Sequence, residues 1–448
     1  MIDIERVSNG VITEAGVARP SAYLRSPVAA GLAGKVAEIG TLILLVSLVP
    51  RTLGPERYGS FSVALALVTL GSAAVALGGP GVMSRFIPAV APAERAALAR
   101  ALALRALRWR ALQFALFAAA AAGAAALDPG RFPPVQAVLI VVALACDVGA
   151  TLAFQVALGL GRASAWSFRY PAQQALLVVG AVTLGRLAGA TGAVAAVAVA
   201  SGVVLGLGLS QVGALRGAHG GEIPPGVTRF ALLNGIGGLL VQFVQRAGVV
   251  AVVLLAGSRA QAGFAGLAAG VGLAATYVVS QVFTVELPRL SVQARQDLSG
   301  AEAAAQRLAE RAAAVLVPLA VLAVPVAAHA IPLAAGARFR GSLPALGPAL
   351  ALLPLAPLTA LGAQLAALRL RPGVRVTAGA AGVVAFTASA GALVPADGAL
   401  GATLALLAGT AATAVWLVWA FRDRYTRALL GLAGAGTVAV LALAALTS

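Results

Sequence analysis

Three charged side chains lie deep inside long apolar stretches of the sequence. Arg246 lies about ten residues from the end of its run, or roughly 15 Å at the helical rise of about 1.5 Å per residue. Asp147 lies in the middle of another run, and Glu38 lies within the first. A charge at the centre of a bilayer costs at least ~2.5 kcal/mol on insertion scales, so such residues mark binding or ion-pathway sites. A guanidinium fork suits phosphate oxygens, whereas a buried carboxylate suits a proton or a coupling cation.

Polar neighbours extend the site around Arg246. Gln242 lies one helical turn before Arg246, and Gln245 and Asn234 belong to the same run. We predict that these four residues line a substrate-binding cleft in which Arg246 holds an anionic group. The alternative is a structural ion pair, with Asp147 as the partner of Arg246.

Four more charged residues complete the candidate set. Lys35 stands one turn before Glu38, so the two can pair within one helix, and Lys35 either joins the cleft or extends to the membrane surface. Glu38, like Asp147, is a candidate for ion coupling. Arg85 and Arg289 lie at the ends of two apolar runs, where they anchor those runs or admit anionic headgroups.

No catalytic constellation is present in the sequence. The two histidines and Cys146, the one cysteine, are too dispersed for a hydrolase triad or a metal cluster. No Gly-rich phosphate loop ends in Gly-Lys-Ser/Thr. We therefore predict a protein that is not an enzyme and that has no metal and no cofactor.

The composition places these residues in a membrane protein. Of 448 residues 60% are hydrophobic and 10% are charged, with a mean hydropathy of +0.95. Soluble domains have about 45–50% apolar and roughly 25% charged residues. This contrast excludes an ordinary soluble enzyme, a disordered chain and a disulfide-rich secreted domain. The runs are too long for barrel strands, so we predict an all-α polytopic membrane protein.

Apolar runs between charged or Pro/Gly-rich breaks define the predicted spans. They cover residues 29–50, 60–82, 107–127, 134–158, 169–187, 191–214, 229–256, 262–287, 311–335, 342–368, 374–395 and 398–420, and a last run, 428–446, is long enough to cross once more.

The chain has a net charge of +17, and its Lys and Arg residues are concentrated in every second loop between these spans. With the N-terminus inside, the inner segments hold 23 Lys and Arg residues, among them Arg110 and Arg169, and the outer loops hold 7. Cytoplasmic loops carry such an excess of Lys and Arg, so we predict a cytoplasmic N-terminus and no nucleic-acid partner. Two inner loops, 85–106 and 289–310, are longer and carry mixed charge. They form either surface amphipathic helices or extensions of the adjacent spans.

A shift of about 204 residues brings the halves of the chain into register, as a parallel repeat about an axis along the membrane normal would. Gly59 then matches Gly263, Arg85 matches Arg289, and Glu38 matches Gln242. The predicted parts are a cytoplasmic tail 1–28, a six-span lobe 29–214, a linker 215–228, a second six-span lobe 229–421 and an extra hydrophobic segment 422–448.

Two motifs in residues 30–90 resemble those of a known family. The turn Leu53-Gly54-Pro55-Glu56-Arg57-Tyr58-Gly59 follows the first span, and Arg85-Phe86-Ile87-Pro88 closes the second. This region resembles the polysaccharide-biosynthesis flippases, the Wzx-type transporters of lipid-linked oligosaccharides in the multidrug/oligosaccharidyl-lipid/polysaccharide superfamily. The run at 428–446 departs from the family's usual twelve or fourteen spans.

The resemblance implies a MATE-like fold of two six-helix bundles around a cleft that opens alternately to each side. It also implies a flippase in the bacterial cytoplasmic membrane, acting as a monomer on a polyprenyl-pyrophosphate-linked oligosaccharide, among membrane lipids and other polysaccharide-assembly proteins. Two alternatives are a multidrug/cation antiporter of the same superfamily and a membrane-embedded polysaccharide polymerase or ligase. The predicted outer loops are short, which disfavours the polymerase or ligase.

Overall fold

The computed structural model describes residues 25–76, 82–83, 86–88, 90–215, 217–219, 221–369, 371–421 and 424–447, and these residues form no β-strand. The prediction of an all-α chain is confirmed. In our numbering the helices are α1 Arg25–Val75, α2 Arg95–Leu127, α3 Pro134–Gly159, α4 Ala163–Gln211, α5 Val227–Ala251, α6 Arg259–Gln296, α7 Leu298–Ala334, α8 Leu343–Leu350, α9 Ala356–Leu368, α10 Pro372–Asp397, α11 Ala399–Phe421 and α12 Arg424–Thr447.

Nine helices of the described part are long and apolar enough to cross a membrane, by length and composition. The last of them, Arg427–Leu446, corresponds to the C-terminal run predicted at 428–446. The chain is therefore a multi-pass membrane protein. The number of helices is smaller than the number of predicted runs partly because α1 and α4 each contain two runs.

Glycines interrupt both of these long helices. Gly54 in α1 has φ 73° and ψ 170°, and Gly189 in α4 has φ 59° and ψ −136°, which glycine adopts without strain. Gly180 and Ala196, on either side of Gly189, lie against each other. The chain therefore reverses within α4, so that two spans pack side by side.

The tenth predicted run, 342–368, is not one helix. α8 ends at Leu350, residues 351–355 form buried turns, and α9 begins at Ala356. Pro354 has no backbone N–H, so one helical hydrogen bond is lost at this point and a break in the helix is favoured. The run predicted as one span is thus two helices joined by turns, and not one continuous helix.

The two long inner loops are mostly continuations of neighbouring helices. α2 is unbroken from Arg95, and α6 and α7 are separated by Asp297 alone. The Asp297 carboxylate accepts hydrogen bonds from the Ser299 hydroxyl at 2.7 Å and the Gly300 N–H at 2.9 Å, which hold the pKa of Asp297 below its usual range. These loops were predicted to be either surface amphipathic helices or extensions of the adjacent spans. Residues 95–106 and 298–310 are extensions of the adjacent helices.

We call the end of the bundle that includes Arg162 and residues 217–219 the inner end, after the predicted orientation, and the end that includes Gly54 and Gly189 the outer end. At the outer end the two predicted halves touch backbone to backbone. A Cβ atom on Gly59 would overlap the carbonyl oxygen of Arg259, and one on Gly263 would overlap that of Pro55. Gly59 and Gly263 are the pair that the 204-residue shift brings into register.

Aromatic rings pack beside this contact. Phe339 meets Tyr58 edge-on at 5.7 Å between ring centroids and Phe264 edge-on at 5.9 Å. Tyr58 and Phe339 are buried. We call the five residues Tyr58, Gly59, Gly263, Phe264 and Phe339 the outer seal, because they pack the two halves together at this end.

Candidate functional site

Asp147 lies at the centre of a polar cluster within the first half of the chain. Its carboxylate accepts hydrogen bonds from the Ser72 hydroxyl and from Gln173 Nε2 at 3.1 Å. Arg169 Nη2 lies 3.4 Å from Asp147 Oδ1 and donates to the Thr151 hydroxyl at 2.5 Å. The side chains of Arg169 and Asp147 are only 2% and 13% exposed, so this is a buried ion pair.

Arg169 is a residue that sequence reasoning placed wrongly. The charge count assigned it to an inner loop, but it lies inside α4 and its guanidinium is surrounded by aromatic rings. The ring centroids of Tyr170, Trp166 and Phe154 are 4.8, 5.7 and 6.0 Å from Arg169 Cζ. Cation–π contacts of this kind stabilise a desolvated arginine. The adjacent Trp166 and Tyr170 were the signal in the sequence that could have identified it.

Arg246 forms the second part of the site, in the other half of the chain. Its Nη2 donates a hydrogen bond to the Tyr277 hydroxyl at 2.9 Å, and its Cζ lies 5.6 Å from the Tyr277 ring centroid. The predicted alternative, a pair with Asp147, is wrong because Asp147 pairs with Arg169. Within the described residues no carboxylate forms an ion pair with Arg246. Its Nε is buried without a hydrogen-bond partner, so Arg246 has charge and a donor available for a ligand.

Tyr170 lies between the two parts. Its hydroxyl is within electrostatic range of Glu38 and Asp147 in its own half and of Tyr277 in the other half. The polar groups therefore converge between the two predicted halves. We call Glu38, Asp147, Arg169, Tyr170, Arg246 and Tyr277 the central polar cluster.

The structure brings together only some of the predicted cleft residues. Gln242 stands one turn from Arg246, and its Oε1 is buried without a hydrogen-bond partner. Gln245 faces a small separate cavity between α5, α6 and α11. Asn234 accepts a hydrogen bond from Arg375 Nη1 at 2.9 Å, which holds it near the inner end of α10. Of the three polar neighbours, Gln242 is the one that remains beside Arg246.

Of the remaining candidates, Glu38 is the one whose side chain the structure describes. Glu38 is partly buried and interacts with Tyr170, as part of the central polar cluster. Lys35 and Arg289 belong to α1 and α6, but their side chains are outside the described residues, as is the whole of Arg85. Their predicted roles as cleft residue and headgroup gates therefore stay predictions.

We expect loss of either Asp147 or Arg169 to destabilise the protein, because the charge of the other residue is then buried without its partner. Asp147→Asn and Arg169→Gln should each lower the free energy of unfolding by about 3 kcal/mol. The double variant should lose less than the sum of the two, by at least about 1 kcal/mol. Chemical denaturation of the purified protein in detergent would measure this.

The exposed pair Asp128–Arg131, 3.4 Å apart with side chains 45% and 48% exposed, provides the control. Asp128→Asn should change the free energy of unfolding by less than about 1 kcal/mol. If the losses in free energy of unfolding from Asp147→Asn and Arg169→Gln simply add in the double variant, the interaction between the two residues makes no specific contribution to stability.

No protein-family model matches the chain, and no curated protein sequence matches it significantly. Solved structures do match. The structure described as "Lipid II flippase MurJ, inward closed conformation" superposes with a TM-score of 0.61 at 10% identity, covering 93% of this chain and 91% of that one. An outward-facing multidrug resistance MATE family transporter of the MOP superfamily gives a TM-score of 0.54 at 15% identity, covering 90% of this chain and 94% of that one.

An inward-facing transporter of the same MATE family gives a TM-score of 0.52 at 13% identity, over 90% of this chain and 98% of that one. At these identities the likeness establishes the fold. The predicted MATE-like, all-α polytopic architecture is therefore confirmed over nearly the whole chain.

Proposed function

We propose that this protein is a flippase that moves a polyprenyl-pyrophosphate-linked oligosaccharide, or a related polysaccharide precursor, across the bacterial cytoplasmic membrane. The observation that carries the proposal is Arg246, a guanidinium deep between the two halves that forms no ion pair with the described residues. A transporter of this fold that handles an anionic headgroup needs such a cation. The protein acts without being an enzyme, as a monomer with its N-terminus in the cytoplasm.

The proposed binding step follows from the chemistry of Arg246. A pyrophosphate entering between the halves loses water, and the loss is offset by charge-assisted hydrogen bonds from the guanidinium. Tyr277 holds Arg246 in place, and the free Nε supplies a further donor. The lipid tail stays in the bilayer, while the sugar meets polar groups such as Gln242.

The proposed movement follows from the outer seal. The contact of Gly59 with Gly263 supports an arrangement closed to the outer side, in which we place substrate entry at the inner leaflet. Rocking of the two six-span lobes then parts the seal and exposes the sugar outside. Transporters of this fold have been solved in inward-facing and in outward-facing conformations, which supports such a pair of states.

A second candidate is an antiporter for cationic drugs. It is favoured by Glu38 and Asp147, two carboxylates of the central polar cluster. The flippase is preferred because Asp147 already pairs with Arg169, whereas no carboxylate among the described residues pairs with Arg246. In both candidates Glu38 and Asp147 are the residues proposed for ion coupling.

Deletion of the gene, followed by analysis of lipid-linked sugars in each leaflet, tests the proposal. We expect the precursor to accumulate in the inner leaflet and to reach the outer leaflet again when the gene is restored. Normal arrival of the precursor at the outer face without this protein would reject the flippase. Drug accumulation in the same deletion strain, with normal precursor distribution, would favour the antiporter.

A further inference from the structure

A cavity of about 80 Å³ lies near the inner end, beside the start of α5. None of the residues that line it belongs to the central polar cluster. The cavity lies between α2, Val82 and Met83 after α1, and the start of α5. Apolar side chains such as Met83 and Leu232 form much of its wall, and Arg105, Trp109, Arg110 and Thr228 add polar groups. The cavity thus joins the first half of the chain to the first helix of the second half.

Arg110 gives this cavity a buried charge without a counterion. Arg110 is 4% exposed, and its Nη1 makes only a long contact of 3.5 Å with the backbone carbonyl of Val148. Its Nη2 is buried without a hydrogen-bond partner, and no ion pair to it exists among the residues that the structure describes. A buried cation with neither counterion nor full hydrogen bonding is costly. The cavity is therefore suited to receive an anion.

The surroundings of Arg110 show which kind of anion fits. Arg105 lines the same cavity from an exposed position five residues nearer the start of α2. Trp109 is 49% exposed, which is typical of a tryptophan at a membrane interface. Further along the helix, Leu112 and Leu116 are 68% and 64% exposed, so an apolar strip leads from the arginines toward the outer end.

We propose that this cavity binds the phosphate of an anionic phospholipid headgroup, with Arg105 and Arg110 on the phosphate and the acyl chains along Leu112 and Leu116. Basic pockets between transmembrane helices on the inner side suit such headgroups. The Thr228 hydroxyl, on α5, offers a donor from the second half of the chain. The lipid is a resident ligand, not the transported substrate, and it bridges the two halves where they join.

Lipid titration of the purified, delipidated full-length protein tests the proposal. Phosphatidylglycerol should raise the unfolding temperature in a saturable manner, and phosphatidylcholine should not. Arg110→Gln should weaken the apparent affinity for phosphatidylglycerol about tenfold or more, since it removes a charge-assisted hydrogen bond. Arg105→Gln, at an exposed position that folding tolerates, should weaken it less, and Arg110→Lys should retain part of it.

Arg108→Gln is the matched control, because Arg108 is exposed on the same helix and does not line the cavity. It should bind phosphatidylglycerol like the wild type, and so should Arg246→Ala, which separates this site from the proposed transport site. Equal binding by the Arg110→Gln and Arg108→Gln variants would overturn the proposal. Stabilisation by inorganic phosphate as strong as that by phosphatidylglycerol would also overturn it, since the ligand would then be a free anion.

Discussion

Arg246→Ala is expected to abolish transport while the protein still folds and inserts. The substitution removes the one guanidinium of the central polar cluster that forms no ion pair among the described residues. Hydrogen bonds to a charged group contribute about 1.5–3 kcal/mol each, so loss of two to a pyrophosphate should slow transport by about a hundredfold or more. Arg246→Lys keeps the charge without the planar fork and should retain part of the activity.

Movement of a lipid-linked sugar into the outer leaflet of proteoliposomes would measure this effect. Arg186→Ala is the control, because Arg186 is exposed at the outer end and lies outside the cluster. Tyr277→Phe removes the hydroxyl that holds Arg246 and should cause a smaller loss than Arg246→Ala. Wild-type transport by Arg246→Ala would reject Arg246 as the headgroup ligand.

Alanine at either glycine of the outer seal should produce the second large effect. A Cβ on Gly59 or Gly263 would overlap backbone atoms of the opposite half, and backbone cannot move aside as a flexible side chain can. The closed arrangement is therefore destabilised relative to one in which the outer ends are apart. We expect both Gly59→Ala and Gly263→Ala to leave the protein folded, open to the outer side, and at least tenfold slower in transport.

Thiol labelling measures the opening directly. Ser62 is buried and lies beside Gly266 across the seal, and Cys146 is the one native cysteine. In a Cys146→Ser, Ser62→Cys background, an impermeant maleimide added outside should react faster after Gly59→Ala. Gly40→Ala, where a Cβ meets nothing within 4 Å, is the matched control and should not change labelling. Unchanged labelling in both glycine variants of the seal would contradict the prediction.

Much of the fold can be predicted from the sequence because apolar runs must be helical in a bilayer. The errors arose where a feature depended on backbone continuity. Helix α2 is unbroken through the predicted loop from Arg95, and the run at 342–368 breaks near Pro354. A continuous helix and a broken one contain the same number of apolar residues, so hydropathy alone could not tell which of the two would form in either segment.

The candidate site was harder to predict because its contacts join residues far apart in the chain. Arg246 was identified by its depth, but Tyr277, its partner 31 residues away, looks like any aromatic residue in an apolar run. Arg169 and Arg110 were counted as loop charges because each stands near the start of a predicted span. Only the folded chain shows that both guanidinium groups are buried.

The contact of Gly59 with Gly263 has a consequence for the origin of the chain. These residues are paired by the internal repeat, so each half presents to the other the counterpart of its own surface. That is the geometry of an isologous interface in a twofold symmetric homodimer. A protein of half this length that dimerised through this glycine would keep the same contact between its two halves after gene duplication and fusion.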